Sequence, residues 1–161
     1  MAPGLTGVLA AREIVVLDGC DGTGKTTLAQ DMRAQYGYRV IHSGRTPDGI
    51  DLVRRYRRIL AVPGPVVLDR SFISELVYGP LFHGRSRLSR ADALSLAAAV
   101  GDRGGVLVHL TGSPDAIIAR LRHRDGAAPG VDTVNAVVAA YRTAFALLAD
   151  AAPVVVADLA E

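Results

Sequence analysis

Short, unbroken apolar runs recur along this chain, and longer mixed stretches fill the gaps between them. Ile14-Val15-Val16-Leu17, Val66-Val67-Leu68 and Gly105 to Leu110 have strand length and are dominated by Val, Ile and Leu. Such runs predict strands covered on both faces rather than strands with one wet face. Arg39-Val40-Ile41-His42 and Val154-Val155-Val156 predict two more strands. Between them, helices are predicted over Gly24 to Tyr36, Asp48 to Leu60, Ser89 to about Arg103, onward from Ser113-Pro114, and Asp132 to about Asp150. The punctuation agrees with these boundaries. Gly37 stops the first helix, Pro63-Gly64-Pro65 breaks the chain before the third strand, and Ser89-Arg90-Ala91-Asp92 has a capping-box pattern with Asp in the acidic place. Ser113-Pro114 sets a cap before a first-turn proline, and residues 125–130 read as a loop. Residues 1–11 read as a loose lead-in without the charged-then-apolar order of a secretion signal. Strands alternating with helices predict an α/β fold in three layers, α/β/α, around a five-stranded parallel sheet, with residues 1–161 forming a single domain. No internal repeat or domain-sized linker interrupts it.

Composition narrows the chemistry. Of 161 residues half are hydrophobic, enough for one core. The net charge is +2, and the basic side chains are almost all arginine. Arginine grips phosphate bidentately, so the bias suits a phosphate-rich ligand, and it equally suits a genome rich in G and C. One cysteine, Cys20, excludes an intrachain disulfide, and a reducing, cytoplasmic setting is expected. No apolar run is expected to span a membrane.

The most specific signal is Gly19-Cys20-Asp21-Gly22-Thr23-Gly24-Lys25-Thr26, followed by Thr27. It satisfies G-x-x-x-x-G-K-[ST], and it stands between a predicted strand and a predicted helix. Glycines at these positions let backbone N–H groups surround phosphate oxygens at a helix N-terminus. Lys25 then reaches the β- and γ-phosphates, and the Thr26 hydroxyl is a ligand for the Mg²⁺ that accompanies ATP. Cys20 within the loop is read as a filler thiol, with redox regulation as the other reading.

Asp69 and Arg70 close the third strand, at the edge where parallel sheets bind ligands. An acid there suits Mg²⁺, and an arginine suits a moving phosphoryl group. Asp69-Arg70-Ser71-Phe72-Ile73-Ser74-Glu75-Leu76-Val77-Tyr78-Gly79 resembles the D-R-[FY]-x-x-S-x-x-A-Y-Q segment of thymidylate kinases, with Asp69, Arg70, Ser74 and Tyr78 in register. Leu17 to Thr27 is similar to that family's E-G-x-D-G-x-G-K-[ST]-T loop. Val108-His109-Leu110 with Ser113-Pro114-Asp115, Arg120 and Arg124 is similar to its fourth strand and arginine-bearing lid. The resemblance covers about Ile14 to Val156. It implies an ATP-dependent kinase in which Asp21 lies near the acceptor sugar, Arg70 holds the acceptor phosphate or bridges the two substrates, and Arg120, Arg122 or Arg124 closes over ATP from a short lid near residues 120–130. Tyr78 is read as contacting the acceptor, with packing under the sheet edge as the other reading. Arg45, near the family's R-E-P-G loop, implies a contact to acceptor phosphate. Arginines at such spacing also suit a solvated helix face.

The departures open the choice of acceptor. Ser71 replaces the usual aromatic, so Asp-Arg-Ser is closer to the E-R-S of deoxynucleoside kinases; there the acid at the Asp18 position deprotonates a hydroxyl, which makes Asp18 a candidate general base. The stretch from Pro47 to Asp69 is short, which predicts a more open acceptor pocket beside Arg54, Arg55, Arg57 and Arg58. Three readings follow. The leading one is transfer of the ATP γ-phosphate to a deoxynucleoside monophosphate or nucleoside. The second is phosphorylation of 5-hydroxymethyluracil within DNA, as the family's phage members do. The third is a nucleotide-binding module without catalysis. A second copy of the chain is a candidate partner.

Overall fold

The computed structural model describes residues 4–158. Its elements, in chain order, are α1 (Leu5–Leu9), β1 (Ile14–Gly19), α2 (Lys25–Tyr36), β2 (Arg39–His42), α3 (Leu52–Leu60), β3 (Val66–Asp69), α4 (Ile73–Phe82), α5 (Arg90–Asp102), β4 (Val106–Thr111), α6 (Pro114–Asp125), α7 (Val131–Leu148) and β5 (Val154–Asp158). The five strands form one parallel sheet in the order β2-β3-β1-β4-β5. β1 and β3 are buried along their whole length, as their unbroken apolar sequence requires, whereas β2 and β5 are half-wet edges.

Two apolar layers flank the sheet. On one face, Leu28, Ala29 and Met32 of α2 and Leu9 of α1 pack on Val15, Leu17, Val67 and Val108. On the other, α3 to α7 cover Ile14, Val16, Leu68 and Leu107. Each Val, Leu or Ile so buried contributes about 1.5–3 kcal/mol.

Local chemistry sets the helix ends. Gly24 and Gly37 take left-handed conformations on either side of α2. Asp51, Ser89 and Ser113 cap α3, α5 and α6 by accepting from backbone N–H groups three residues on.

Three expectations need correction. The lead-in is not wholly loose: five residues coil into α1 because Leu9 can bury completely under the sheet, while Met1 to Pro3 lie outside the described residues. The helix expected from Asp48 begins at Leu52, since Asp51 is its cap. α7 does reach a length and apolar composition that could cross a membrane. Seven of its residues, from Val134 to Leu148, are buried, and it packs against α4 and α6.

Candidate active site

The carboxyl ends of β1, β2 and β3 deliver three segments to one edge of the sheet. These are the Gly19–Gly24 loop, Ser43 to Thr46, and Asp69 to Phe72. Two cavities open there, and Asp21 lies in the wall of both.

The first cavity, about 700 Å³, lies over the glycine-rich loop, between Gly22, Gly24, Lys25, Thr26 and Thr27 on one side and Ala119, Arg120, His123 and Arg124 of α6 on the other. Lys25 is almost fully buried, and its ammonium donates to the carbonyls of Gly19 at 2.8 Å and Cys20 at 3.0 Å. Burial pushes its pKa down, with Asp18 opposing and Arg70 adding to the fall. Thr23 does not reach the cavity; its hydroxyl donates to the Cys20 carbonyl and locks the turn. Burial also pushes the Cys20 thiol up, away from the reactive thiolate.

The Thr26 hydroxyl donates to Asp69 Oδ2 at 2.8 Å, and His42 Nδ1 lies 3.0 Å from the same oxygen. A hydroxyl and a carboxylate side by side form an all-oxygen donor set. Mg²⁺ takes such a set when water and phosphate complete its octahedron, so these residues fit the ion. Among the described residues no cluster of three His, Cys, Asp or Glu forms a self-sufficient metal site.

Arg124 reaches across to Asp21 Oδ2 at 3.3 Å and also pairs with Asp125. Burial works to raise the Asp21 pKa, but Arg124, Lys25 and Arg70 outweigh it, and the carboxyl sits below its ordinary range. Arg122 lies in the wall of neither cavity. His123, which sequence reasoning passed over, does line the first; its only signal was being one helical turn above Ala119.

The second cavity, about 470 Å³, contains all four residues expected to meet the acceptor: Asp21, Arg45, Arg70 and Tyr78. Its walls are aromatic. Tyr78 stacks on Phe82 with centroids 5.6 Å apart, and Tyr56 meets Phe72 edge-on at 5.8 Å. Burial pushes the Tyr78 hydroxyl up to about 12. Glu75, nearly buried, pairs with Arg87, which also donates to the Thr46 carbonyl at 2.8 Å. Sequence reasoning missed Tyr56, Phe72, Phe82, Glu75 and Arg87. Except for Tyr56 and Arg87 they belong to the segment from Phe72 to Phe82, where Gly79-Pro80 masks a helix.

The short stretch after Pro47 therefore does not leave the cavity unwalled, because α3 and α4 supply what is missing. Of the four arginines of α3, Arg54, Arg57 and Arg58 are exposed, and two of the four have side-chain partners. Arg55 donates to Gly44 O and Thr46 Oγ1 and lies over the Tyr56 ring, and Arg57 donates to Ser95.

Asp18 departs furthest from expectation. As a general base it would face a substrate hydroxyl; instead it is fully buried and lines neither cavity. Tyr141, Ser71 and Ser74 donate to its carboxylate. Arg70, by contrast, is directed into the second cavity, and among the described residues its guanidinium has no hydrogen-bond or ion-pair partner. Its backbone is left-handed, φ 71°, the one non-glycine residue described with a positive φ.

A central parallel strand, a glycine-rich loop leading into a helix, an acid-arginine pair on the neighbouring strand and an arginine-bearing helix facing the loop define an α/β fold of the P-loop type. Known structures agree. The Bacillus subtilis YorR protein, solved with phosphorylated GDP, superposes with a TM-score of 0.80 at 21% identity, covering 92% of this chain and 86% of that one. Deoxyadenosine kinase from M. mycoides with bound dCTP gives 0.58 at 14% identity, over 92% and 91% of the two chains. A gluconokinase from Sinorhizobium meliloti gives 0.53 at 20% identity, over 93% and 83%. No protein-family model and no curated protein sequence matches the chain. At these identities the likeness establishes the fold.

Proposed function

We propose that this protein is an ATP-dependent phosphotransferase that moves the γ-phosphate of ATP to a small nucleoside or nucleotide acceptor, in the manner of thymidylate and deoxynucleoside kinases. The observation that carries the reading is the meeting of two cavities at Asp21, with the unpaired Arg70 guanidinium beside it. A protein that only binds ATP has no use for a second, aromatic-walled cavity at that point. The nucleotides bound in YorR and in deoxyadenosine kinase favour the same acceptor class.

In this scheme the loop amides and Lys25 hold the donor phosphates, and Arg120 and Arg124 approach them from α6. Thr26 and Asp69 hold Mg²⁺, which neutralises charge on the phosphate oxygens when bound. Arg70 neutralises the phosphoryl group in flight, and Asp21 orients the acceptor. Tyr78, Phe82 and Tyr56 sandwich its ring, and Arg45 meets a phosphate if the acceptor carries one. Catalysis is then positioning plus electrostatics. Of the basic helix that motivates the DNA-directed reading, Arg55 and Arg57 have hydrogen-bond partners within the chain, while Arg54 and Arg58 are exposed.

The test is transfer of ³²P from γ-labelled ATP to free nucleosides and nucleoside monophosphates in one reaction and to DNA with and without 5-hydroxymethyluracil in another. Label in a small molecule supports the reading and names the acceptor. Label in polymer, or none in either pool, rejects it. Arg70→Ala should retain ATP binding and lose transfer; a protein that merely binds nucleotide would be indifferent.

A further inference from the structure

Asp18 sits near the end of β1 with no solvent exposure, bonded to Ser71 and Ser74, which line the second cavity. Its Oδ1 accepts from Gly19 N at 2.9 Å, Tyr141 Oη at 2.8 Å and Ser74 Oγ at 2.9 Å. Its Oδ2 accepts from Ser71 N at 3.0 Å, Ser71 Oγ at 2.8 Å and Ser74 N at 3.1 Å, and shares the Ser74 Oγ at 2.9 Å. An ionised carboxylate offers about four lone-pair directions. Six donor groups saturate them, and none is left for a substrate hydroxyl. The donors come from three places: the start of the phosphate loop, the β3–α4 junction, and α7.

Arg70 immediately precedes the gripped Ser71. Its own N–H donates to the Leu17 carbonyl at 3.1 Å, and the next N–H, of Ser71, donates to Asp18. Two consecutive groups of β1 thus clamp the peptide units on both sides of Arg70, and its φ of 71° persists under that clamp. A left-handed non-glycine residue is held only where its surroundings over-determine it. The conformation directs an unpaired guanidinium into the second cavity, which Asp21 shares with the first.

From this geometry we infer that Asp18 is a positioning residue, not a base: it holds the strained turn that aims Arg70 at the transferred phosphoryl group. The inference rests on the proposed phosphotransfer. It differs from the expectation that the acid in this place deprotonates an acceptor.

The test is a double-mutant cycle on Asp18→Asn and Arg70→Ala, with Tyr141→Phe as a milder probe. The asparagine amide turns donor against donor and loosens the clamp; Tyr141→Phe removes one of the six donors from a residue that lines neither cavity. Each single substitution in the cycle should lower kcat by about 100-fold, with ATP affinity within about twofold of the native protein. The double variant should be no slower than Arg70→Ala alone, because Asp18 acts through Arg70. Tyr141→Phe should lower kcat and leave the acid limb of its pH profile unmoved. Losses that multiply, or an acid limb moved to higher pH in Tyr141→Phe, would make Asp18 a base and overturn the inference.

A second readout needs no activity. Arg70→Gly relieves the left-handed strain, so it should raise the melting temperature by about 2–4 °C in the native background and not in Asp18→Asn. Equal gains in both would show that Asp18 does not hold the turn. If the native protein transfers phosphate to no acceptor, the proposed function fails while this thermal cycle still reads the clamp.

Discussion

Replacing Gly19 by alanine tests how the phosphate loop is seated. Gly19 pairs with Leu110 at the end of the β1–β4 ladder, with φ at 152°. A Cβ built there would lie 2.0 Å from the Leu110 carbonyl oxygen. Carbon and oxygen settle no closer than about 3.3 Å, so the two strands would have to part by about 1.3 Å. A ladder bond of about 2.9 Å stretched by that much is no longer a bond. Losing two rungs at about 0.5–1.5 kcal/mol each, with about 1–3 kcal/mol of backbone strain, predicts a loss of about 2–6 kcal/mol. Function should fall with it, because the Gly19 carbonyl is an acceptor for Lys25. The control is Gly37→Ala, which has a positive φ of 72° but nothing within 4 Å of the added carbon. It should cost only the strain. Urea unfolding and ATP titration of both variants measure the difference. A Gly19→Ala protein no less stable than Gly37→Ala, or with undiminished ATP affinity, would refute the close-approach argument.

Lys25→Met should lose phosphotransfer by about 100-fold or more yet unfold at higher urea than the native protein, because burial of the ammonium opposes folding. Its lowered pKa sets the sign: the advantage of the methionine is full below the folded pKa and fades as pH rises toward 10.5. A destabilised Lys25→Met would contradict this. Asp69→Asn should raise the Mg²⁺ concentration for half-maximal ATP binding by about tenfold, and an unchanged titration would remove Asp69 from the ion. His109, stacked on Phe145, has its pKa lowered by burial, with Arg142 helping and Asp18 opposing. The unfolded chain takes up the proton first, so stability should decline as pH falls from 6.5 toward the folded pKa. Melting points of His109→Phe across that window should lose this slope, and an identical slope would place its origin elsewhere.

Sequence alone determined the elements whose signal is local. The apolar runs at Ile14, Val66 and Val106 are buried strands because a doubly covered sheet tolerates nothing else. The glycine and lysine spacing of Gly19 to Thr26 needs only its flanking strand and helix to form an anion cradle. Arg70 and Tyr78, through register with a family pattern, and Arg45, through its place near the family's R-E-P-G loop, were expected on the acceptor side, and all three line one cavity. Helix α4 was not legible, because Gly79 and Pro80 are local breakers. Gly79 tolerates no side chain beside Glu75 and Arg85, and packing against α7 outweighs the weak local preference. The aromatic walls depended on that helix and stayed hidden with it. The placement of Asp18 was decided only by tertiary structure. From the chain, an acid before a phosphate loop is indistinguishable from a base. Its surroundings are serines more than fifty residues away and a tyrosine at position 141, and folding alone brings them to a fully buried carboxylate.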